Sequence, residues 1–131
     1  MPVALNVLGQ VARAVRDVEA AERFYGTVLG LRKLYRFGDL LFLDMAGVRL
    51  LLENSHADFM AEASPLYFKV PDIALAVSEF TAKGIHFTGA PHRIAEMPDH
   101  DLWMAFFNDP DGNALALMCE APKGWAPGPE S

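Results

Sequence analysis

The chain repeats itself. Residues 10–17 read Gln-Val-Ala-Arg-Ala-Val-Arg-Asp and residues 65–72 read Pro-Leu-Tyr-Phe-Lys-Val-Pro-Asp, so Val15 matches Val70 and Asp17 matches Asp72 at an offset of 55. A helical stretch follows each Asp, with Ala21 against Ala76 and Tyr25 against Phe80, and a glycine closes each, Gly30 and Gly84. Further on, Gly47 opens Val-Arg-Leu-Leu-Leu-Glu and Gly112 opens Asn-Ala-Leu-Ala-Leu-Met at an offset of 65. The offset grows from 55 to 65, so the second copy carries ten extra residues, expected between Gly89 and Asp101. A repeat of this length is a supersecondary unit, and two copies predict a pseudo-symmetric sheet with a shared cleft.

Each copy reads as βαβββ. In the first, residues 11–15 are short and β-prone, Asp17 can cap a helix, and Val18, Ala21, Tyr25, Val28 and Leu29 recur at helical steps of three and four. Gly30 suits the left-handed position after a helix. Residues 31–37, 40–45 and 48–53 read as strands, with turns at Gly38-Asp39 and Ala46-Gly47. In the second, 66–70 is a strand, Asp72 caps a helix running to Lys83, 85–88 begins the next strand and 89–101 is a loop. Strands at 102–107 and 114–119 flank the turn Asp109-Pro110-Asp111-Gly112, where a glycine of positive φ is expected. The modules are thus 8–53 and 65–120, joined by a linker over 54–64. The tail, 121–131, holds three prolines and two glycines and is expected to be loose. Trp125 either pins it or stands exposed.

Composition narrows the function. With 131 residues and 52% hydrophobic content, the chain has one domain's length and a real core. Its net charge, 11 − 17 = −6, lacks the basic face that nucleic acid requires. No apolar run is long enough to span a membrane, and residues 1–6 do not read as a signal peptide. Cys119, the single cysteine, forms no internal disulfide and reads as a small core residue. A reducing cytoplasm is the expected compartment.

The two βαβββ copies, Phe24-Tyr25 and Leu29-Gly30-Leu31 on the first helix, and Asp109-Pro110-Asp111-Gly112-Asn113 before the last strand resemble the vicinal oxygen chelate superfamily over about residues 8–120. That superfamily includes glyoxalase I, the bleomycin-resistance proteins and the extradiol dioxygenases. The resemblance implies an α+β fold in which two modules form a cupped, pseudo-two-fold mixed sheet. It also implies a divalent metal held from the first and last strand of each module, for Lewis-acid chemistry on two neighbouring substrate oxygens. The implied ligand positions fall on Gln10, Leu51, Pro65 and Ala116. Only Gln10 offers a donor, a weak amide oxygen, where a catalytic ion needs three or four. Side chains two apart on a strand share a face, so a displaced site of Gln10, Glu53 and Glu120 with His92 or His100 is the alternative. The plainer reading makes both glutamates solvated strand ends.

The extra segment of copy two, running from Pro91 through Asp101 into Leu102, Trp103 and Met104, holds two of the four histidines. His92 or His100 could serve as general base, with Asp99 or Asp101 fixing the tautomer, and the segment could form a lid. It could equally be a polar loop. His56 falls in the linker and is expected to be exposed. His86, among apolar neighbours, is expected to be structural. Arg49, Tyr67 and Lys69 share the face of the implied ligand positions and either bind an anionic or aromatic ligand or pair with Glu53 and Glu120. Trp103, Phe106 and Phe107 are expected in the core, with one lining a pocket. The expected set is therefore His92, His100 and Asp101 as catalytic residues, and Gln10, Arg49, Tyr67, Lys69, Trp103 and Met118 as ligand contacts.

These readings lead to a small-molecule binder with an apolar cleft and no cofactor. The alternative is a metal-dependent lyase, resembling lactoylglutathione lyase, or a dioxygenase at the displaced site. A domain that chiefly associates with another protein is a third class. Open sheet edges predict a homodimer.

Overall fold

The computed structural model describes residues 3, 5, 7–54 and 64–128. The chain divides into two compact units, Met1–Glu62 and Ala63–Ser131, one for each copy of the repeat. His56 lies outside the described residues.

In the first unit, β1 (Gln10–Ala14) leads to α1 (Val18–Ala21). The Asp17 carboxylate caps α1 by accepting from the amides of Glu19 and Ala20 at 3.0 and 3.3 Å. The helix was expected to remain regular, but it widens into π winding over Glu22–Val28. There the Leu29 amide reaches back five residues to the Phe24 carbonyl at 2.8 Å. Tyr25 is fully buried, in line with Val18 and Ala21 at helical steps of three and four. Gly30, at φ 83°, ends it.

Strands β2 (Arg32–Phe37), β3 (Leu40–Met45) and β4 (Val48–Glu53) complete a sheet ordered β1-β4-β3-β2. β1 runs parallel to β4, and the other pairs are antiparallel. Alternation sorts the side chains. Leu41, Leu43, Leu50 and Leu52 are buried on the helix side with Val15 and Arg13. Lys33 and Arg36, opposite Leu43 and Leu41 and brought to one side by the register shift between Lys33 and Tyr35, reach Glu22 at 2.8 and 2.9 Å.

The second unit repeats the order with β5 (Leu66–Lys69), α2 (Ile73–Ala82), β6 (His92–Glu96), β7 (Asp101–Asn108) and β8 (Ala114–Ala121). Its sheet runs β5-β8-β7-β6, again with one parallel pair, β5 with β8. Asp72 caps α2 through the Leu75 amide at 3.1 Å. The helix side buries Ile73, Ile85, Ala105, Phe107, Leu115, Leu117 and Cys119. The Cys119 thiol donates to the Pro71 carbonyl at 3.4 Å, as befits a core residue. Asp109 organises the β7–β8 turn, accepting from the amides of Asp111 and Asn113 and from Asn113 Nδ2. Gly112 has the expected positive φ, 83°.

Two expectations fail in this unit. Residues 85–88 are not a strand, and His86 is exposed rather than structural. The strand lies further on, inside the segment expected to be a loop, and only residues 97–100 remain as its turn, closed by the Met97 amide on the His100 carbonyl at 2.8 Å. The ten extra residues lengthen a hairpin instead of a loop. Pairing with β7 satisfies backbone groups that a long loop would leave to water.

The tail was expected to be loose, yet its first residues are fixed. The Gly124 amide donates to Asp101 Oδ2 at 3.0 Å, Lys123 Nζ donates to the Met97 carbonyl at 2.9 Å, and Trp125 packs edge-on against Trp103 at 5.4 Å.

Candidate functional site

Each sheet buries one face under its helix and leaves the other partly open. Strand parity decides which residues reach the open faces, and those are the faces on which the implied metal-ligand positions fall.

On the first unit's open face, Gln10 stands opposite Arg49, Ala12 opposite Leu51 and Ala14 opposite Glu53. Across β3, Asp44, Phe42 and Leu40 face Arg49, Leu51 and Glu53 in turn. Tyr35 and Phe37 of β2 continue the rows beyond Phe42 and Leu40. Arg49 Nε donates to Gln10 Oε1 at 3.0 Å, and the guanidinium lies 5.7 Å from the Phe42 ring centre. Arg49 therefore pairs with Gln10 rather than with Glu53. The aromatic trio was not singled out from the sequence. Its signal is there in the alternation of Tyr35 and Phe37, resumed after the two-residue turn by Leu40 and Phe42.

The second unit's open face carries Tyr67 and Lys69 of β5 and Ala116, Met118 and Glu120 of β8. From β7 come Phe106, Met104 and Leu102, opposite those three β8 residues. His92 of β6 stands opposite Met104. The rings of Tyr67 and His92 each lie 6.3 Å from that of Phe106. At the hairpin end a polar chain forms. Lys69 Nζ meets Glu120 Oε1 at 2.7 Å, His100 Nε2 lies 3.8 Å from Glu120 Oε2, and His100 Nδ1 meets Asp99 Oδ1 at 2.7 Å. Lys69 holds the Glu120 carboxyl below its ordinary range, and the hydrogen bond to His100 does the same for Asp99.

Of the expected catalytic residues, His92 and His100 thus reach the same face. They lie apart on it, because His100 is four residues before Met104, the partner of His92, or roughly 13 Å along a strand. Asp101 and Trp103 point to the helix side. Asp101 is buried and holds the tail, with Lys123 Nζ at 3.1 Å, and its carboxyl is kept below the ordinary range chiefly by the Gly124 amide and then by Lys123. Trp103 faces Trp125 and is separated from Tyr67, Lys69 and Met118 by the sheet itself. The ring that reaches the open face is Phe106.

The donor set does not fit a metal. Gln10 has its amide oxygen on Arg49, Leu51 and Ala116 have no donor atom, and Pro65 offers no side-chain donor. The displaced alternative is not assembled either. Gln10 and Glu53 sit at opposite ends of the β1–β4 ladder, four residues or roughly 13 Å apart, where ligands of one ion lie within about 2 Å of it. Among the described residues, no three His, Cys, Asp or Glu side chains cluster closely enough to hold an ion. None of the described helices is long and apolar enough to cross a membrane.

Comparison with known proteins agrees with the fold. A family profile described as Glyoxalase/Bleomycin resistance protein/Dioxygenase superfamily matches residues 7–117. A search of curated proteins finds no match. Among solved structures, an integron cassette protein from the mobile metagenome of V. Cholerae superposes with a TM-score of 0.76 at 17% identity, covering 92% of this chain and 100% of its own. A lactoylglutathione lyase from Agrobacterium tumefaciens gives 0.71 at 23%, covering 88% and 95%. A glyoxalase/bleomycin resistance protein/dioxygenase from Alicyclobacillus acidocaldarius gives 0.70 at 24%, covering 88% and 92%. At these identities the likeness shows the fold alone.

Proposed function

Because the chain belongs to the glyoxalase/bleomycin resistance protein/dioxygenase superfamily, we propose that it binds a small molecule on its open sheet faces without the superfamily's metal centre. One observation carries this reading: the four implied ligand positions are Gln10, Leu51, Pro65 and Ala116, and the single donor among them is engaged by Arg49. The faces themselves are half-exposed and mostly apolar, as a pocket for an organic ligand needs. On the first unit's face Gln10 and Arg49 are the proposed contacts, and on the second unit's face Tyr67, Lys69 and Met118, with Phe106 in the role first given to Trp103. Metal analysis of protein purified without chelators, followed by titration with a small-molecule library, tests the reading. Stoichiometric zinc, nickel, iron or manganese overturns it.

A second reading rests on the Asp99–His100 pair. With Nδ1–H donated to Asp99, Nε2 carries the lone pair and can take a proton from a bound substrate as general base. Asp99 then orients the ring, and Glu120, fixed by Lys69, steadies the resulting imidazolium. For any turnover found, His100→Ala is expected to lower kcat more than tenfold and Asp99→Asn by a smaller factor. An unchanged pH profile in His100→Ala removes this reading and leaves the binding reading intact.

The working unit is proposed to be a cytoplasmic homodimer. Within each sheet the two edge strands, β1 and β2 in one and β5 and β6 in the other, pair on one side only among the described strands of that sheet, and open edges favour association. A monomer by sedimentation at high micromolar concentration contradicts the dimer.

A further inference from the structure

The first unit's open face has two parts that fit one class of ligand. Tyr35 and Phe37, on the edge strand β2, are 54% and 63% exposed, large areas for aromatic side chains. Their rings lie stacked, 6.1 Å apart at 25°, and each meets Phe42 edge-on at 6.3 Å. Three rings held against one another form a platform on which a flat apolar group can lie with little ordering cost.

Arg49 stands at the border of that platform. Its guanidinium is oriented from two sides, by Phe42 at 5.7 Å and by the Nε bond to Gln10 Oε1 at 3.0 Å. Those contacts use Nε and the ring face, and the two terminal nitrogens donate to no protein group among the described residues. The carboxylate facing Arg49 across the ladder is Asp44, and it is engaged elsewhere. It accepts from the Gly47 amide at 3.0 Å and lies 3.6 Å from Arg32. Arg49 is thus a permanently charged, pre-aimed fork with its two-pronged end open, the geometry that takes a carboxylate bidentately.

Resting on the reading of this face as a binding surface, we infer that the first unit binds a planar aromatic carboxylate. The ring lies on Tyr35, Phe37 and Phe42, and the carboxylate pairs with the terminal nitrogens of Arg49. A neutral aromatic leaves the fork unpaired, and a cationic one is repelled by it.

Calorimetric titration of the full chain with 2-naphthoate, 2-naphthamide and 2-naphthylmethylammonium tests the inference. The expected order is naphthoate first, the amide at least tenfold weaker and the ammonium weakest. Arg49→Gln is expected to weaken naphthoate at least tenfold, about 1.4 kcal/mol, and to leave the amide unchanged, while Arg49→Lys recovers part of the loss. Phe37→Ala is expected to weaken naphthoate and amide alike. Circular dichroism of each variant guards against loss of fold. Equal binding of naphthoate and amide, unmoved by Arg49→Gln, overturns the acid class and spares the surface. Tightest binding of the ammonium overturns the class as well. Binding of none of the three overturns the class and the surface together.

Discussion

In the first sheet Phe42 faces Leu51, and in the second Phe106 faces Ala116, the matching position of the repeat. Around these two rings the copies part ways. The first surrounds Phe42 with Tyr35, Phe37 and one oriented cation. The second places His92 beside Phe106 and, at the hairpin end, a polar chain from Lys69 through Glu120 and His100 to Asp99. Meanwhile the parts that make the modules fold have stayed alike. Asp17 and Asp72 cap the helices, and Gly47 and Gly112 take positive φ before the last strand of each. A duplicated scaffold keeps what its backbone requires, and its open faces are free to diverge because packing does not constrain them.

The largest effect should separate the two helices. Tyr25 is fully buried and its counterpart Phe80 only half-buried. Tyr25→Ala is expected to cost about 3–5 kcal/mol in urea unfolding, and Phe80→Ala distinctly less. Equal losses would erase the asymmetry in burial between the two helices.

The two turn glycines should behave alike. A Cβ at Gly47 or Gly112 meets no atom within 4 Å, so only the backbone angle, φ 97° or 83°, resists substitution. Gly47→Val and Gly112→Val are each expected to cost about 1–2 kcal/mol, and asparagine at either site less. A negligible cost at one site alone would break the equivalence of the turns.

Acid should loosen the second unit's tether. The Asp101 carboxyl is held down chiefly by the Gly124 amide, then by Lys123, with Arg93 also facing it. A depressed folded-state pKa stabilises the fold above the ordinary carboxylate pKa, and that contribution is lost as pH falls through the depressed value. Both tryptophans lie in this unit, with Trp125 on the tethered segment, so tryptophan emission reports it alone. Asp101→Asn is expected to shift that emission at neutral pH as acid shifts it in the parent. An identical spectrum would show that the tail stays docked without the carboxylate.

The smallest effect concerns Glu22, which bridges the first helix to β2 through Lys33 and Arg36 and whose carboxyl those cations hold below its ordinary range. Glu22→Gln is expected to cost within about 0.2–1 kcal/mol by chemical denaturation, because partly exposed ion pairs contribute little. A larger loss would mean that the cluster anchors the π-wound segment.

The modules and their faces were legible in the chain because the signals are local. An aspartate before Val18 or Ile73 finds its own helix's amides, a glycine of positive φ fits its own turn, and alternation assigned Arg49, Tyr67, Lys69, Glu53 and Glu120 to the open faces without any knowledge of partners. The tail and the loop were misjudged for the opposite reason. Nothing near Lys123 in sequence announces Asp101, 22 positions earlier, and nothing in residues 92–96 announces that β7 is long enough to pair with them.

The sequence by itself determined the duplication, the βαβββ order, the caps and turns, and the want of a metal donor at three of the four positions that the family resemblance implies, since each follows from residue identity and short-range geometry. The tertiary structure alone decided how those faces became sites. It gathered Tyr35, Phe37 and Phe42 into one platform, aimed Arg49 by Gln10, set His100 between Asp99 and Glu120, and turned Asp101 and Trp103 to the helix side. Those outcomes depend on which strands pair and in what register, and a one-residue change of register moves every side chain to the opposite face.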